Sequence, residues 1–116
     1  MSETLISSLA IHPGEMIKDE ILERGITQRQ LAAQMEVSPT VLNEVLNGKR
    51  PVSTEYALLL EAVLGIDAGI WLRLQIDYNM QLAKKDAILF HKLEKLRKVE
   101  DDTVKISARE HIFAAG

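Results

Sequence analysis

The sequence predicts an all-α protein of five helices that contains a helix-turn-helix. Helix-start signals recur along the chain, and apolar residues between them are spaced by three and four. Only the short "TVKIS" at 103–107 has a weak strand pattern. With 116 residues, 47% of them hydrophobic, the chain can bury one modest core.

The first predicted helix covers about residues 13–24. Pro13 suits the first turn of a helix, and Gly25 suits the position just after its end. Its apolar residues at helical spacing are Ile17, Ile21 and Leu22. This helix should pack one side against the core.

Two start signals follow within twelve residues. Thr27 and Gln30 have the spacing of a capping box, which opens a second helix with Leu31, Ala32 and Met35 inside. Ser38 followed by Pro39 opens a third helix, predicted to run to about Leu46. Two short helices are therefore joined by a tight turn.

The last two predicted helices are longer and more apolar. Ser53 can cap a fourth helix that ends at Gly65, and its dense apolar positions are Ala57, Leu58, Leu60 and Leu64. Asp67 can cap a fifth that starts near 68 and continues to Lys98. We therefore divide the chain into a flexible N-terminus (1–12), a helix-turn-helix domain (13–83), and a C-terminal helical extension and tail (84–116).

Composition excludes several classes of function. There are no cysteines and the three histidines lie far apart, so neither a metal site nor another cofactor is expected. No apolar run could span a membrane and the first residues do not resemble a secretory signal, so we expect a cytoplasmic protein. A net charge of −3 argues weakly against nucleic-acid binding, because a local basic patch is enough.

The third helix carries a polar stripe opposite its apolar residues. A helix-turn-helix places its second helix in the DNA major groove, where such a stripe can read bases. The candidate base-reading residues of this stripe are Thr40, Asn43, Glu44 and Asn47, at i, i+3, i+4 and i+7. The candidate phosphate-binding residues are Gln28, Arg29, Lys49 and Arg50. Because one copy brings few cations, we expect a homodimer on a palindromic double-stranded DNA operator.

The alternative interpretation is that each polar residue is an ordinary solvated residue of a helical bundle. For single residues this is the commoner situation. The two capping signals, the helix spacing and the five-helix arrangement favour DNA binding only when they are taken together.

The residues also resemble a known family. The segment "TQRQLAAQMEVSPTVLNEVLNGKR" and its continuation to about residue 66 are similar to lambda-repressor-like proteins of the XRE helix-turn-helix family. "HPGEMIKDEILERG" at 12–25 and "WLRLQIDYNMQLAKK" at 71–85 narrow the resemblance to HigA-type antitoxins. The resemblance implies a dimeric autorepressor that also neutralises a HigB-type, mRNA-cleaving toxin. It implies that Gln28 is the family's phosphate-contacting glutamine. The base-reading positions that it implies are Ser38, Pro39, Thr40, Asn43, Glu44 and Asn47.

The chain departs from the family pattern in two places. Glu36 stands where the turn often has glycine, so a left-handed backbone there would cost of the order of 1 kcal/mol. The chain also continues past Lys85 with an amphipathic basic segment. That segment can pack on its own domain, pair with a dimer mate, grip DNA or cover the toxin.

The fifth helix has two apolar faces, more than one core needs. We expect the face formed by Trp71, Leu74 and Tyr78 to be a dimer or partner interface. The antitoxin hypothesis leads, and a stand-alone XRE regulator is the alternative. A protein-interaction module that has lost DNA binding is a third hypothesis, suggested by Glu36, Glu44 and the acidic net charge. No catalytic constellation is visible, so an enzyme is not expected.

Overall fold

The computed structural model describes residues 10–99, and within that range the chain forms six α-helices and no strand. The helices are α1 (Pro13–Arg24), α2 (Gln28–Met35), α3 (Pro39–Leu46), α4 (Thr54–Leu64), α5 (Ala68–Lys84) and α6 (Ala87–Val99). The all-α class is confirmed, but the predicted number of five helices is wrong by one. The segment "TVKIS" lies outside the described residues.

The extra helix arises because the predicted long fifth helix stops at Lys84. Asp86 begins a new helix there: its Oδ1 accepts hydrogen bonds from the backbone N–H groups of Ile88 (3.0 Å) and Leu89 (3.2 Å). A short acidic side chain that satisfies the first free N–H groups is a typical helix start. The apolar period continues across this break, which is why periodicity alone missed it.

The first four helices begin and end where the sequence predicts. Thr27, Ser38 and Ser53 each accept a backbone hydrogen bond at the start of the helix that follows. Gly25 and Gly65 end α1 and α4 in the left-handed conformation, with φ of 71° and 76°. Local capping chemistry therefore fixes these boundaries.

The chain divides into two compact units, one up to Gln81 and the other from Leu82. The first unit contains a single core in which α1 packs on α3, and α2 packs on both α3 and α4. The largest side chains that this core buries completely are Trp71, Ile17, Leu31, Leu42, Leu46, Leu60 and Val45. Burying residues of this size stabilises a domain by about 1.5–3 kcal/mol each.

Two predicted core positions are wrong. Leu22 is 80% exposed and Leu58 is 54% exposed. On each helix the buried face is narrower than the apolar pattern: Ile17 and Ile21 are buried on α1, and Ala57, Leu60 and Leu64 on α4. No helix among residues 10–99 has the length and apolar character needed to cross a membrane.

Candidate nucleic-acid interface

Capping hydrogen bonds define the starts of α2 and α3, and a shared apolar core packs the two helices together. The capping box at the start of α2 is complete: Gln30 Oε1 accepts from the Thr27 N–H at 2.8 Å, and Thr27 Oγ1 accepts from the Gln30 N–H at 3.1 Å. Ser38 Oγ accepts from the Val41 N–H at 3.4 Å at the start of α3. Below these caps, Leu31, Ala32, Leu42 and Val45 are buried in the shared core.

The turn between α2 and α3 contains a strained residue. Glu36 has φ of 56°, and it is the one non-glycine residue with positive φ within residues 10–99. Its backbone N–H donates to the carbonyls of Ala32 and Ala33, so it closes α2 as a left-handed cap. A left-handed residue with a Cβ costs about 1–2 kcal/mol, which the packing around the turn must offset.

The outer side of α3 presents polar side chains to solvent. Ser38, Pro39, Thr40, Asn43 and Asn47 are exposed, and Glu44 is half-buried. Leu42, Val45 and Leu46 on the opposite side are 0%, 2% and 0% exposed. The helix therefore separates a buried apolar face from a solvent-facing polar one.

A chain of amide hydrogen bonds links this outer face to the start of α2. Asn47 Nδ2 donates to Asn43 Oδ1 at 3.1 Å, and Asn43 Nδ2 donates to Gln28 Oε1 at 3.0 Å. Each Asn43 polar atom still has one free hydrogen-bonding position, because an amide nitrogen has two hydrogens and an amide oxygen two lone pairs. Asn43 is therefore held in one orientation and can still pair with the edge of an adenine.

Glu44 and Arg50, which the sequence assigned to bases and phosphates respectively, contact each other. Arg50 Nε donates to Glu44 Oε2 at 2.9 Å, and both side chains are partly exposed to solvent. A surface pair of this kind contributes at most about 1 kcal/mol. It leaves Arg29 and Lys49, both exposed, as the cations near α3 that have no salt bridge among the described residues.

The interface predicted on α5 needs one correction. Trp71 is 1% exposed and belongs to the core of the first unit, so it cannot form an interface. The apolar period of α5 predicted a buried face, but it could not distinguish burial in the chain's own core from burial against a partner. Leu74 and Tyr78 are half-buried, and their part in an interface stays a prediction.

Sequence reasoning missed His12 and Gly14, which lie beneath α3. His12, expected in a flexible N-terminus, is 7% exposed and caps α1: its Nδ1 accepts from the Gly14 N–H at 2.9 Å. A Cβ at Gly14 would lie 2.5 Å from the Val45 carbonyl oxygen and 2.6 Å from that of Leu46. Only glycine lets α1 approach α3 so closely. The signal was the segment "HPG", of which only the proline was used.

Gln75 is a second buried polar residue that the sequence did not identify. It is 6% exposed, and its Oε1 accepts from the Val52 backbone N–H at 2.7 Å. Its Nε2 donates to Asn79 Oδ1 at 3.0 Å. This side chain therefore fastens the segment between α3 and α4 to α5, and buried polar atoms are retained only when paired in this way.

Comparison with known proteins gives the same fold and a family. Residues 17–71 match the helix-turn-helix family. The chain is 37% identical over 78 residues to virulence-associated protein I of Dichelobacter nodosus. The aligned residues are 66% of this chain and 72% of the relative.

Two solved structures resemble the chain closely. One is an addiction module antidote protein of the HigA family from Coxiella burnetii, with a TM-score of 0.68, 31% identity, and 74% of this chain and 92% of that chain covered. The other is a Pseudomonas aeruginosa protein in complex with its operator DNA, with a TM-score of 0.68, 30% identity, and 75% and 90% covered. With HigA-type antitoxins among its structural neighbours, this chain belongs to the XRE-type helix-turn-helix family.

Proposed function

We propose that this protein is the antitoxin of a HigBA-type module: a homodimeric repressor that binds its own operator and also neutralises an mRNA-cleaving toxin. The outer face of α3 is the observation that carries the proposal, because Asn43 and Asn47 form an oriented amide pair there. Arg29 and Lys49 are exposed and have no salt bridge among residues 10–99. The Coxiella and Pseudomonas structures support it, since one is an antidote protein and the other holds operator DNA.

In the proposed complex α3 lies in the major groove. Asn43 and Asn47 would contact base edges, with Ser38, Pro39, Thr40 and Glu44 around them. Gln28, Arg29 and Lys49 would meet phosphates on either side of the groove. Glu44 would first release Arg50, or the pair would contact the DNA as a unit.

The first unit is too acidic to bind DNA by charge alone. Residues 1–81 contain six basic and eleven acidic side chains, a formal charge of −5. Specific contacts and a second copy must therefore supply the affinity, which supports a two-fold symmetric operator. Leu74 and Tyr78 on α5 are proposed to take part in the contact with that second copy or with the toxin.

Two measurements on a tagged full-length chain from its native host test this proposal. The DNA retained on the protein is sequenced before nuclease treatment, and the proteins retained after it are identified by mass spectrometry. We expect the chain's own promoter and a small protein in near-stoichiometric amount. The double variant Asn43→Ala/Asn47→Ala is the matched control, and it should lose the promoter while keeping the small protein.

The possible outcomes separate the candidate functions. Promoter DNA without a small protein would indicate a stand-alone regulator. A retained protein without any DNA would indicate an interaction module that does not bind DNA. The absence of both would contradict the proposal altogether.

A further inference from the structure

His12 lies at the point where three parts of the first unit meet. It caps α1, and the Tyr78 ring of α5 packs against it edge-on, with ring centroids 4.9 Å apart and planes at 81°. The third part is the loop between α3 and α4, where a Cβ at Gly48 would lie 3.6 Å from the His12 ring. His12 is thus packed beneath the loop that follows the proposed recognition helix.

The hydrogen bond at Nδ1 fixes the tautomer of the neutral His12 ring. Because Nδ1 accepts from the Gly14 N–H, a neutral ring must have its proton on Nε2. The same ring packs against the loop at Gly48, where a Cβ would lie 3.6 Å from the His12 Cγ. One imidazole therefore caps the first turn of α1 and packs against the backbone of the α3–α4 loop.

That loop contains two of the residues proposed to bind phosphate. Lys49 and Arg50 are exposed; among the described residues Lys49 has no salt bridge, and Arg50 is restrained by its surface pair with Glu44 at 2.9 Å. Their position relative to α3 depends on the loop backbone, which is fixed by the bond from the Lys49 N–H to the Glu44 carbonyl (2.8 Å), by the packing of His12 against Gly48 and, further along, by Gln75 at Val52. The close approach of Gly14 to Val45 and Leu46 brings His12 within reach of the loop.

We propose that His12 is a positioning residue for DNA binding: it holds the α3–α4 loop so that Lys49 and Arg50 meet the DNA backbone when α3 is in the groove. This inference rests on the proposed DNA-binding function. His12 itself touches no DNA. It acts by fixing the backbone from which the two cations project.

The variant His12→Asn tests the role without removing the helix cap. Asparagine is a good N-cap, but it lacks the ring and cannot bridge to the loop. We expect the logarithm of the operator-binding constant to depend less steeply on the logarithm of salt concentration. The slope should fall by about 0.9 for each phosphate that the variant no longer neutralises, and by up to about 1.8 per copy. His12→Gln serves as the second variant where the asparagine protein does not fold.

Two controls separate positioning from general destabilisation. Ile21 lies on α1, the helix that His12 caps, and is 5% exposed. Ile21→Val should lower the free energy of unfolding by about 0.5–1.5 kcal/mol and keep the wild-type salt slope. In the Lys49→Ala/Arg50→Ala background, His12→Asn should have no further effect on operator affinity, because no cations remain to be positioned.

Additive effects in that background, or a wild-type slope for folded His12→Asn, would overturn the inference. A wild-type protein that binds no operator would instead overturn the proposed function, and this inference with it.

Discussion

The helices α3 and α6 have the same kind of sequence and opposite environments. Both are short and amphipathic, but α3 buries Leu42, Val45 and Leu46 almost completely. On α6, none of the side chains described is buried, and Ile88 is 85% exposed and Leu96 55% exposed. The comparison shows that an apolar stripe predicts a helix, whereas the neighbouring elements decide whether that stripe contributes to stability.

The parts of the chain that contain the two helices also differ in charge. The segment 84–98 contains six basic and two acidic side chains, a formal charge of +4, while residues 1–83 sum to −5. The outer face of α3 therefore depends on oriented hydrogen bonds more than on net charge. The exposed α6 combines apolar and basic residues on one short helix.

The largest expected effect comes from removing a large side chain from the buried face of α3. Leu42→Ala should lower the free energy of unfolding by about 2–5 kcal/mol, because Leu42 is fully buried and a cavity would remain. Leu96→Ala on α6 is the matched control and should change it by less than about 0.5 kcal/mol. Urea unfolding of the three proteins measures both values. Equal losses would mean that the environments of the two helices do not differ as described.

A smaller effect is expected where α1 approaches α3. Gly14→Ala would place a methyl group 2.5 Å from the Val45 carbonyl oxygen, and overpacking of this kind costs about 1–3 kcal/mol. Gly25→Ala is the control for backbone strain alone. Its φ of 71° is unfavourable for alanine, but no atom lies within 4 Å of the new Cβ. Calorimetry should show the larger drop in Tm for Gly14→Ala, and the reverse order would contradict the close approach.

Lys49, the exposed cation that follows α3, should affect DNA binding and leave stability unchanged. Lys49→Ala should weaken binding to every DNA sequence alike and reduce the salt slope by about 0.9 per copy, because it removes one phosphate contact. Lys18→Ala on α1 is the control, since Lys18 pairs with Glu15 at 3.3 Å and lies outside the proposed interface. A weakening confined to the operator would show that Lys49 reads bases.

The smallest expected effect is a dependence of stability on pH. Burial lowers the pKa of His12 below its ordinary value of 6.5, although the Arg50 backbone and Glu15 partly oppose the shift. The unfolded chain then binds the proton more tightly. The contribution of neutral His12 to the free energy of unfolding is therefore complete above about pH 6.5, and it is lost as the pH falls through the folded-state pKa. Urea unfolding between pH 5 and 8 should show this loss in the wild type and a smaller one in His12→Asn.

The sequence was most informative where structure is set locally. The boundaries of α1 to α4 follow from residues adjacent in the chain, such as Thr27 with Gln30, or Ser38 with Pro39. The break before α6 was missed because the apolar period continues across Asp86 and neither proline nor glycine marks the break. Leu22 and Leu58 were misplaced for a related reason: a period shows which residues share a face but not how wide the buried face is.

The parts of the candidate site that could not be predicted depend on contacts between distant residues. The pairing of Asn43 with Gln28 joins two helices, and the packing of His12 against Gly48 joins the first turn of α1 to the α3–α4 loop. Trp71 was predicted at an interface because its apolar face is evident in the sequence, but the element that covers it is not. Histidine is also an unusual helix cap, so its role at position 12 had no strong signal.

Whether the outer face of α3 reads DNA sequence is tested most directly by Asn43→Ala. Fluorescence anisotropy would measure binding of the wild type and the variant to the chain's own promoter and to a set of single-base changes in it. We expect the variant to bind the intact operator more weakly by about 1–3 kcal/mol, with relaxed discrimination at one base position in each half-site. An unchanged preference at every position would contradict this role for α3 and assign the reading of bases to another surface.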